Sequence, residues 1–369
     1  MKILMIAQWT IPGQNARANR TWQLSRQLAR LGHDVTLYAL TGTTYDYGKV
    51  LEETGLKVKN LGVSHLGCVD SEGRSHENIV TKCIRKAVRA PELFPGIDLY
   101  PMVRRVFESE GDFDLLITIA APHTIHWATA KYIDRSKVRT WIADCGDPFM
   151  GNPVPSLKHY RFLEKRERAW CSACDFITVP IEEAREAYYP EYRDKIRVIP
   201  QGFDFEEFQL PGYQPNPTPS FSFAGMTYKG LRDPSAFLDY LAETPEDFRF
   251  EVYTRNASPF LPWRNSLKGR MEIHGSIPRA ELIPRLANMD FLLNIRNASA
   301  VQQPSKLIDY AIAKRPVLDI SSEFTDTERK TFHAFLKGDY SGALAIGDTS
   351  KFRIENVANE FLALAGMES

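Results

Sequence analysis

Short apolar runs of strand length alternate with helical segments along the chain, and this alternation limits the fold more than any other feature. KILMIAQ (residues 2–8), a helical segment ending near Gly32 and HDVTLYAL (residues 33–40) form one strand–helix–strand unit. Such a unit joins two parallel strands. Further apolar runs of strand length lie at residues 114–121, 138–144, 175–180 and 196–200. Nearly uniform apolar strands with helices between them predict a doubly wound parallel sheet.

A proline-rich stretch, FQLPGYQPNPTPS (residues 208–220), interrupts this alternation. Its four prolines and one glycine exclude a helix or a central strand. A second alternating series follows, with strands predicted at residues 221–225, 248–254, 271–275, 290–295 and 315–321.

At 369 residues the chain is long for a single core. We therefore predict an α/β protein with two Rossmann-like domains facing across a cleft. The predicted divisions are an N-terminal domain at 1–203, a linker at 204–219, a second domain at 220–350 and a C-terminal helix at 351–369 that packs back on the first domain. Ligands bind at the carboxyl ends of the strands in such sheets, so loops of both domains are expected around one site.

Charge and composition exclude several functions. Lys plus Arg and Asp plus Glu both number 46, so no global charge favours a nucleic-acid partner. The N-terminus MKILMIAQW lacks the pattern of a secretory signal, and no run reaches the ~18 apolar residues of a membrane helix. The five cysteines are few and odd in number, which favours reduced thiols, and we interpret Cys171 and Cys174 as a packing pair on a helix. These features predict a cytoplasmic protein.

Residues 76–107 contain an amphipathic segment with two interpretations. In HENIVTKCIRKAVRA (residues 76–90), apolar residues recur at helical spacing and most basic residues fall on the other side. The favoured interpretation is a surface helix whose apolar face packs on the core. The alternative is a basic surface that contacts anionic lipid or a lipid-linked acceptor, at the inner face of the membrane.

QQPSKLIDYAIAKRPVL (residues 302–318) has features of an anion-binding helix start. Pro304 suits the first turn of a helix, where free N–H groups and a partial positive charge attract phosphate. Ser305 adds a hydroxyl group and Lys306 a full charge. Asp309 follows one turn later, where its carboxylate could accept hydrogen bonds from a ribose diol. From this stretch alone, a plain capped helix remains the alternative.

Five stretches together carry a resemblance to a known family. They are LARLGHDVTLYAL (28–40), RTWIADCGDPF (139–149), IRVIPQGFD (196–204), FAGMTYKGLRDP (223–234) and PSKLIDYAIAKRPVL (304–318). In this order they resemble the motifs of GT-B glycosyltransferases, specifically the group around glycosyltransferase family 4. The resemblance extends over nearly the whole chain.

The resemblance implies a donor site in the second domain. Lys306 and the Ser305 amide would hold the donor diphosphate, together with Lys229 or Arg232 from the loop that begins at Gly225. Cations there stabilise the charge that develops on the leaving group, so no metal or other cofactor is expected. Asp309 would bind the ribose hydroxyls.

Other donor-binding positions and the acceptor side follow from the same resemblance. The loop of Gly275, Ser276 and Ile277 would bind the nucleobase, and Gly13 and Gln14 would approach the phosphates and sugar. His123 or His126 would lie near the sugar, with one of the two expected to be structural. Asp144 and Asp147 would face the acceptor, although capping a turn before Pro148 is an alternative for both.

Two departures from the family pattern stand out. Val301 occupies the position of the family's first glutamate, and Asp309 replaces the second, so the identity of the donor sugar does not transfer. Lys314 stands where the family usually has a helix-ending glycine. A lysine held there at positive φ would cost roughly 1 kcal/mol.

The expected activity is that of a hexosyltransferase-like enzyme in polysaccharide biosynthesis. It would move a sugar from a nucleotide-diphosphate donor to a glycan or lipid-linked acceptor, with retention and without metal. A catalytically inactive GT-B partner subunit and a GT-B sugar-nucleotide 2-epimerase are the alternatives. An NAD dehydrogenase is disfavoured because GxGxxG follows the first strand of neither half.

Overall fold

The computed structural model describes residues 1–13, 15–66, 68–74, 78–88, 96–151, 161–227, 232–296 and 306–367. The chain divides into two compact units. The first contains Met1–Asp204 and Ser350–Ser369, and the second contains Phe205–Thr349. Each unit has its own parallel sheet with helices packed on it, which confirms the predicted α/β class with two Rossmann-like units.

The sheet of the first unit has seven parallel strands. They are β1 Lys2–Ala7, β2 Asp34–Ala39, β3 Lys57–Asn60, β4 Phe113–Ala120, β5 Val138–Cys145, β6 Phe176–Val179 and β7 Ile196–Val198. Their order in the sheet is β3-β2-β1-β4-β5-β6-β7. The order reverses between β1 and β4, so the topological switch point, where such sheets bind ligands, lies beside Ala7 and Ala120.

Helices cover both faces of this sheet. They are α1 Ala16–Arg30, α2 Gly48–Thr54, α3 Ile79–Val88, α4 Leu99–Ser109, α5 Thr124–Tyr132, α6 Glu164–Ala173 and the C-terminal helix, which we number α11, Ile354–Leu364. Short 3-10 helices lie at Arg161–Leu163, Glu182–Ala187, Pro190–Lys195 and Ser350–Phe352. The side chains of α4, α5 and α6 form one core cluster, and those of α1 and α11 form another with the opposite strand faces. The C-terminal helix therefore completes the core of the first unit.

The second unit has five parallel strands, at positions that confirm all five strands predicted there. They are β8 Ser220–Ala224, β9 Arg249–Tyr253, β10 Met271–His274, β11 Phe291–Ile295 and β12 Val317–Ile320, in the order β10-β9-β8-β11-β12. The helices are α7 Ser235–Glu243, α8 Arg279–Ala287, α9 Lys306–Ala313 and α10 Asp326–Leu336, with a 3-10 helix at Leu261–Trp263. The order of this sheet reverses between β8 and β11. Residues just beyond β8 therefore lie where such sheets bind ligands.

The proline-rich stretch forms several hydrogen bonds with one buried carboxylate of the second unit. Asp290, directly before β11, accepts hydrogen bonds from the Tyr213 hydroxyl at 2.7 Å and the Asn216 amide at 3.1 Å. It also accepts one from the Ser220 amide at 2.7 Å. The ring of Tyr213 in turn stacks under the Arg315 guanidinium. Much of the predicted linker is thus part of the second unit.

The favoured interpretation of α3 is wrong for its first turn. Ile79 is 81% exposed and Val80 is 64% exposed, and Cys83 is exposed as well. Helical periodicity shows that one face is apolar, but it does not show whether other elements cover that face. Among the described residues, no helix is both long enough and apolar enough to cross a membrane.

Candidate functional site

Lys306 and Gly225 meet at the carboxyl end of β8. Gly225 follows the last residue of β8 and has φ +155°, and a Cβ placed on it would overlap the Lys306 ammonium group. The Nζ atom lies 5.1 Å from the ring centroid of Phe223, which belongs to the same strand. A glycine at this position is therefore what allows the first side chain of α9 to reach the switch point of the second sheet.

The Lys306 ammonium group is buried and makes no hydrogen bond to the described residues. Burial lowers the pKa of Lys306 to about 7, repulsion by Arg232 acts in the same direction, and attraction by Asp309 opposes both. Burying a cation without hydrogen bonds is costly, and an anionic ligand would remove that cost. The arrangement is therefore suited to an anion.

Arg232 supplies the second positive charge near this position. It is only 7% exposed, and its Nη1 atom lies 3.4 Å from the Met226 carbonyl oxygen. Lys306 and Arg232 thus bring two positive charges to this end of the sheet, and their phosphate-binding role stays a prediction. Lys229 and Ser305, the other predicted phosphate contacts, lie outside the described residues.

Asp309 is held by an arginine that sequence reasoning missed. Arg279 donates through Nε to Asp309 Oδ1 at 2.6 Å, and both side chains are 21% exposed. Burial raises the pKa of Asp309, although the ion pair with Arg279 and the charge of Lys306 oppose the increase. Arg279 opens α8 and follows the loop of Gly275, Ser276 and Ile277, which connects β10 to α8.

This ion pair links the predicted nucleobase loop to the predicted ribose-binding acid. The only feature of the sequence that could have indicated Arg279 was the position of a basic residue directly after the HGSIP loop. A Cβ placed on Gly275 would meet nothing within 4 Å, so the start of that loop borders open space. The Ile277 side chain packs against the core cluster that includes Tyr310 of α9. The four predicted positions Gly275, Ser276, Ile277 and Asp309 thus belong to adjoining elements, α9 and the loop that leads into α8.

At the carboxyl end of the first sheet, Gly13 forms part of a tight turn after β1. Its amide donates to the Thr10 carbonyl oxygen at 3.0 Å, and a Cβ on Gly13 would lie 2.8 Å from that oxygen. Only glycine fits this approach without a shift of the backbone. Gln14, its predicted companion, lies outside the described residues.

The two histidines have different surroundings. His126 is fully buried, with Nδ1 at 2.8 Å from Thr118 Oγ1 and Nε2 at 3.4 Å from Cys145 Sγ. Burial lowers the pKa of His126 well below its ordinary value. His123 is 7% exposed, and its Nε2 atom lies 3.0 Å from the Asp147 carbonyl oxygen. Because both ring nitrogens of His126 are occupied inside the core, the geometry favours His123 for the predicted position near the sugar.

His123, His126 and Cys145 also form the only group among the described residues that could ligate a metal. Their ligand atoms lie within 4.8 Å of one another. Both nitrogens of His126 have partners, and burial raises the pKa of the Cys145 thiol well above its ordinary value. Metal binding needs a thiolate and free ring nitrogens, so the group as it stands is a hydrogen-bonded packing cluster.

Of the two aspartates predicted on the acceptor side, one is buried and one is exposed. Asp144 is 2% exposed and accepts from Arg20 at 2.8 and 3.2 Å and from Thr178 Oγ1 at 2.7 Å. Burial alone would raise the pKa of Asp144, but Arg20, Arg17 and the Thr178 hydroxyl outweigh it and lower that pKa. Its oxygens are therefore committed to joining β5 with α1 and β6. The Asp147 side chain is exposed and remains accessible to a ligand.

Comparison with known proteins assigns the chain to a family. The sequence profile described as Glycosyltransferase Family 4 matches residues 18–207, just over half of the chain. No curated protein matches the sequence.

Solved structures share the fold at low sequence identity. HepE of Anabaena in complex with UDP and glucose has a TM-score of 0.61 and 12% identity, over all of both chains. A variant of S. aureus TarM in complex with fondaparinux, alpha-GlcNAc-glycerol and UDP has a TM-score of 0.59 and 8% identity, over all of both chains. The lipopolysaccharide outer core galactosyltransferase WaaB has a TM-score of 0.53 and 12% identity, over 99% of each chain. With its sequence matched by the family profile and its fold shared with these GT-B glycosyltransferases, the chain belongs to glycosyltransferase family 4.

Proposed function

We propose that this glycosyltransferase moves a sugar from a nucleotide-diphosphate donor to a glycan or lipid-linked acceptor. The observation that carries the proposal is the buried Lys306 ammonium group beside Arg232 at the end of β8, which makes no hydrogen bond within the described part of the chain. Negative charge grows on the diphosphate as the glycosidic bond breaks. Fixed cations in a poorly hydrated site stabilise that charge more in the transition state than in the ground state.

The nucleoside would lie between α9 and the loop that precedes α8. Asp309 Oδ1 accepts from Arg279, and the second carboxylate oxygen can accept a ribose hydroxyl. The loop at 275–277 offers backbone groups to a base. UDP was crystallised with HepE and with TarM, which supports UDP as the first donor nucleotide to test.

We further propose that transfer needs no metal and retains the anomeric configuration. Lys306 and Arg232 supply the positive charge that a divalent cation supplies in other transferases. A pair of aspartates spaced as a metal-binding DxD, Asp112 and Asp114, offers no alternative site for the donor metal. Asp114 Oδ2 accepts from the Lys2 amide at 2.8 Å, at the amino ends of β1 and β4 and away from their carboxyl ends.

A lipid-linked acceptor is supported by the exposed first turn of α3. Ile79 and Val80 project apolar surface into solvent next to the exposed Lys82. Exposed β-branched side chains beside a basic residue are suited to the interface of an anionic membrane. We propose that this turn makes a peripheral contact with the membrane and gives access to the acceptor.

Nucleotide binding tests the proposal. The thermal stability of the protein is measured with UDP, GDP, ADP, CMP and dTDP in EDTA, for the wild type and for Lys306→Ala and Asp309→Ala. Lys330→Ala, an exposed lysine of the same unit, is the matched control. A ligand at about 100 times its dissociation constant adds ~2.7 kcal/mol of stability. One nucleotide should stabilise the wild type and the control but neither site variant, and absence of any shift would contradict the proposal.

A further inference from the structure

The first unit contains a second concave site, formed by the outer surfaces of α4, α5 and α6. Two adjoining pockets of about 310 Å³ and about 400 Å³ share the lining residues Tyr100, Trp127, Lys131 and Arg166. These volumes lie at the small end of the roughly 300–1,000 Å³ range of small-molecule sites. None of the predicted donor or acceptor residues that the structure describes lines either pocket.

Aromatic rings and cations make up most of the pocket walls. The rings of Tyr100 and Tyr132 meet edge to face at 6.3 Å, and Lys131 Nζ lies 5.7 Å and 5.2 Å from their centroids. Arg166 donates to the Tyr100 hydroxyl oxygen at 2.7 Å, which fixes the guanidinium at the rim. Among the described residues no acidic side chain lines either pocket.

Two side chains at this site can form polar interactions that they do not form with the described residues. The Trp127 side chain is 4% exposed, and its buried Nε1–H group has no hydrogen-bond acceptor in the described part of the chain. Buried donors are almost always satisfied, and Trp127 is one of the residues that line both pockets, so an acceptor from a bound molecule could satisfy this donor. Lys131 contacts only aromatic rings in the same part of the chain, so its charge has no carboxylate partner there.

We infer that these pockets bind an acidic sugar residue, a pyranose that carries a carboxylate, within an oligosaccharide. The tyrosine rings would pack against the C–H faces of the sugar, since aromatic side chains are large, rigid and partly polar. The Trp127 indole N–H donates to a sugar oxygen. The Lys131 ammonium group pairs with the carboxylate through a charge-assisted hydrogen bond. A lipid chain would leave the indole N–H and the ammonium group unsatisfied.

This site goes beyond the proposed donor site, and its existence does not depend on it. Lys306, Arg232 and Asp309 of the proposed donor site belong to the second unit, whereas the described residues that line these pockets belong to the first. If the oligosaccharide bound here is the acceptor, that further step alone rests on the proposed function. The two proposals can therefore fail separately.

Calorimetric titration of the full chain with a hyaluronan tetrasaccharide tests the inference, since this probe alternates glucuronate with a neutral sugar. Chitotetraose is the neutral comparison. The variants are Lys131→Ala, which removes an exposed charge, and Trp127→Phe, which keeps a ring but removes the donor. Lys137→Ala removes an exposed lysine from the loop after α5 and is the matched control.

We expect the acidic tetrasaccharide to bind at least about tenfold more tightly than the neutral one, because hydrogen bonds to charged groups are strong. Lys131→Ala should weaken binding about tenfold and Trp127→Phe about fivefold, while Lys137→Ala stays within about twofold. Because Lys131 is exposed, its variant keeps the test valid even if Trp127→Phe fails to fold.

Three results would overturn the inference. They are equal affinity for the acidic and neutral probes, unchanged affinity in Lys131→Ala, and binding only to anionic lipid vesicles and not to the tetrasaccharide. The nucleotide-induced stabilisation is measured on the same variants and should persist in Lys131→Ala. If that stabilisation is absent in all proteins while the tetrasaccharide still binds as expected, the proposed function fails and this site stands.

Discussion

Replacement of Asp144 by asparagine should destabilise the first unit strongly. Asp144 is 2% exposed, and its carboxylate faces Arg20 at 2.8 Å and Arg17 at 3.6 Å. The Arg20 side chain is itself only 3% exposed. Asp144→Asn keeps the shape of the side chain but removes its charge, so the two guanidinium groups would stay near each other without an anion.

The size of the effect follows from burial. Removing one partner of a buried ion pair costs about 3–5 kcal/mol, because the remaining charge is left uncompensated. For a unit of this size, about 2–4 °C of melting temperature corresponds to 1 kcal/mol, so the first unit should melt about 6–20 °C lower. The matched control is Asp34→Asn, whose partner Lys57 lies at 2.7 Å with both side chains half exposed. That change should cost only about 0–1 kcal/mol.

Scanning calorimetry at several pH values measures both the effect and its cause. Because the guanidinium groups lower the pKa of Asp144 in the folded state, its stabilisation is fully present above the unfolded pKa of about 3.9. It is lost as the pH falls through the lower folded pKa. The difference between the wild type and Asp144→Asn should therefore be constant near neutral pH and shrink below pH ~4. A variant that melts within about 2 °C of Asp34→Asn would refute the reasoning.

Three further predictions concern the second unit. Lys314 has φ 56°, so Lys314→Gly should raise the free energy of unfolding by roughly 0.5–1 kcal/mol in urea titrations. Lys337 also lies at a helix end but has φ −95°, so Lys337→Gly should not raise the free energy of unfolding, and an increase there would contradict the explanation. Gly225→Ala should displace the Lys306 ammonium group and abolish nucleotide binding in calorimetry. Gly347→Ala, at φ +75° with open space around it, should leave binding intact, and equal losses would argue against the close contact. Because a bound anion raises the pKa of Lys306 from about 7, nucleotide affinity should fall as the pH rises from 7 to 9, and a flat profile would contradict the buried-cation geometry.

The strands were predictable where burial made them uniformly apolar. β8 and β11, in the middle of the second sheet, were found because they are fully buried within a parallel sheet and carry few polar residues. β3, Lys57–Asn60, was missed because it lies at the sheet edge with mostly exposed side chains, and KVKN has no long apolar run. The conformation of Lys314 was left open by the sequence, because a lysine at positive φ is costly, and the structure shows φ 56° at this position.

Contacts between distant residues were not predictable. Arg279 and Asp309 are 30 positions apart, and Arg20 and Asp144 are 124 positions apart. Helical periodicity identified the apolar face of α3 but not its exposure, since exposure depends on which other elements pack there. The sequence indicated which residue types the site contains, whereas the ion pairs that hold Asp309 and Asp144 required the packing of the helices and strands.

The most direct test of the central claim is donor hydrolysis. The nucleotide sugar whose nucleotide stabilises the protein is incubated with enzyme in EDTA and without acceptor, and release of the nucleoside diphosphate is followed. We predict slow release of the nucleoside diphosphate by the wild type and by Lys330→Ala. In Lys306→Ala the rate should be about 100-fold or more lower, which is the usual loss when one charge-stabilising donor is removed from an active site. Nucleotide binding without release above the uncatalysed rate would contradict the claim and identify the protein as an inactive binding partner.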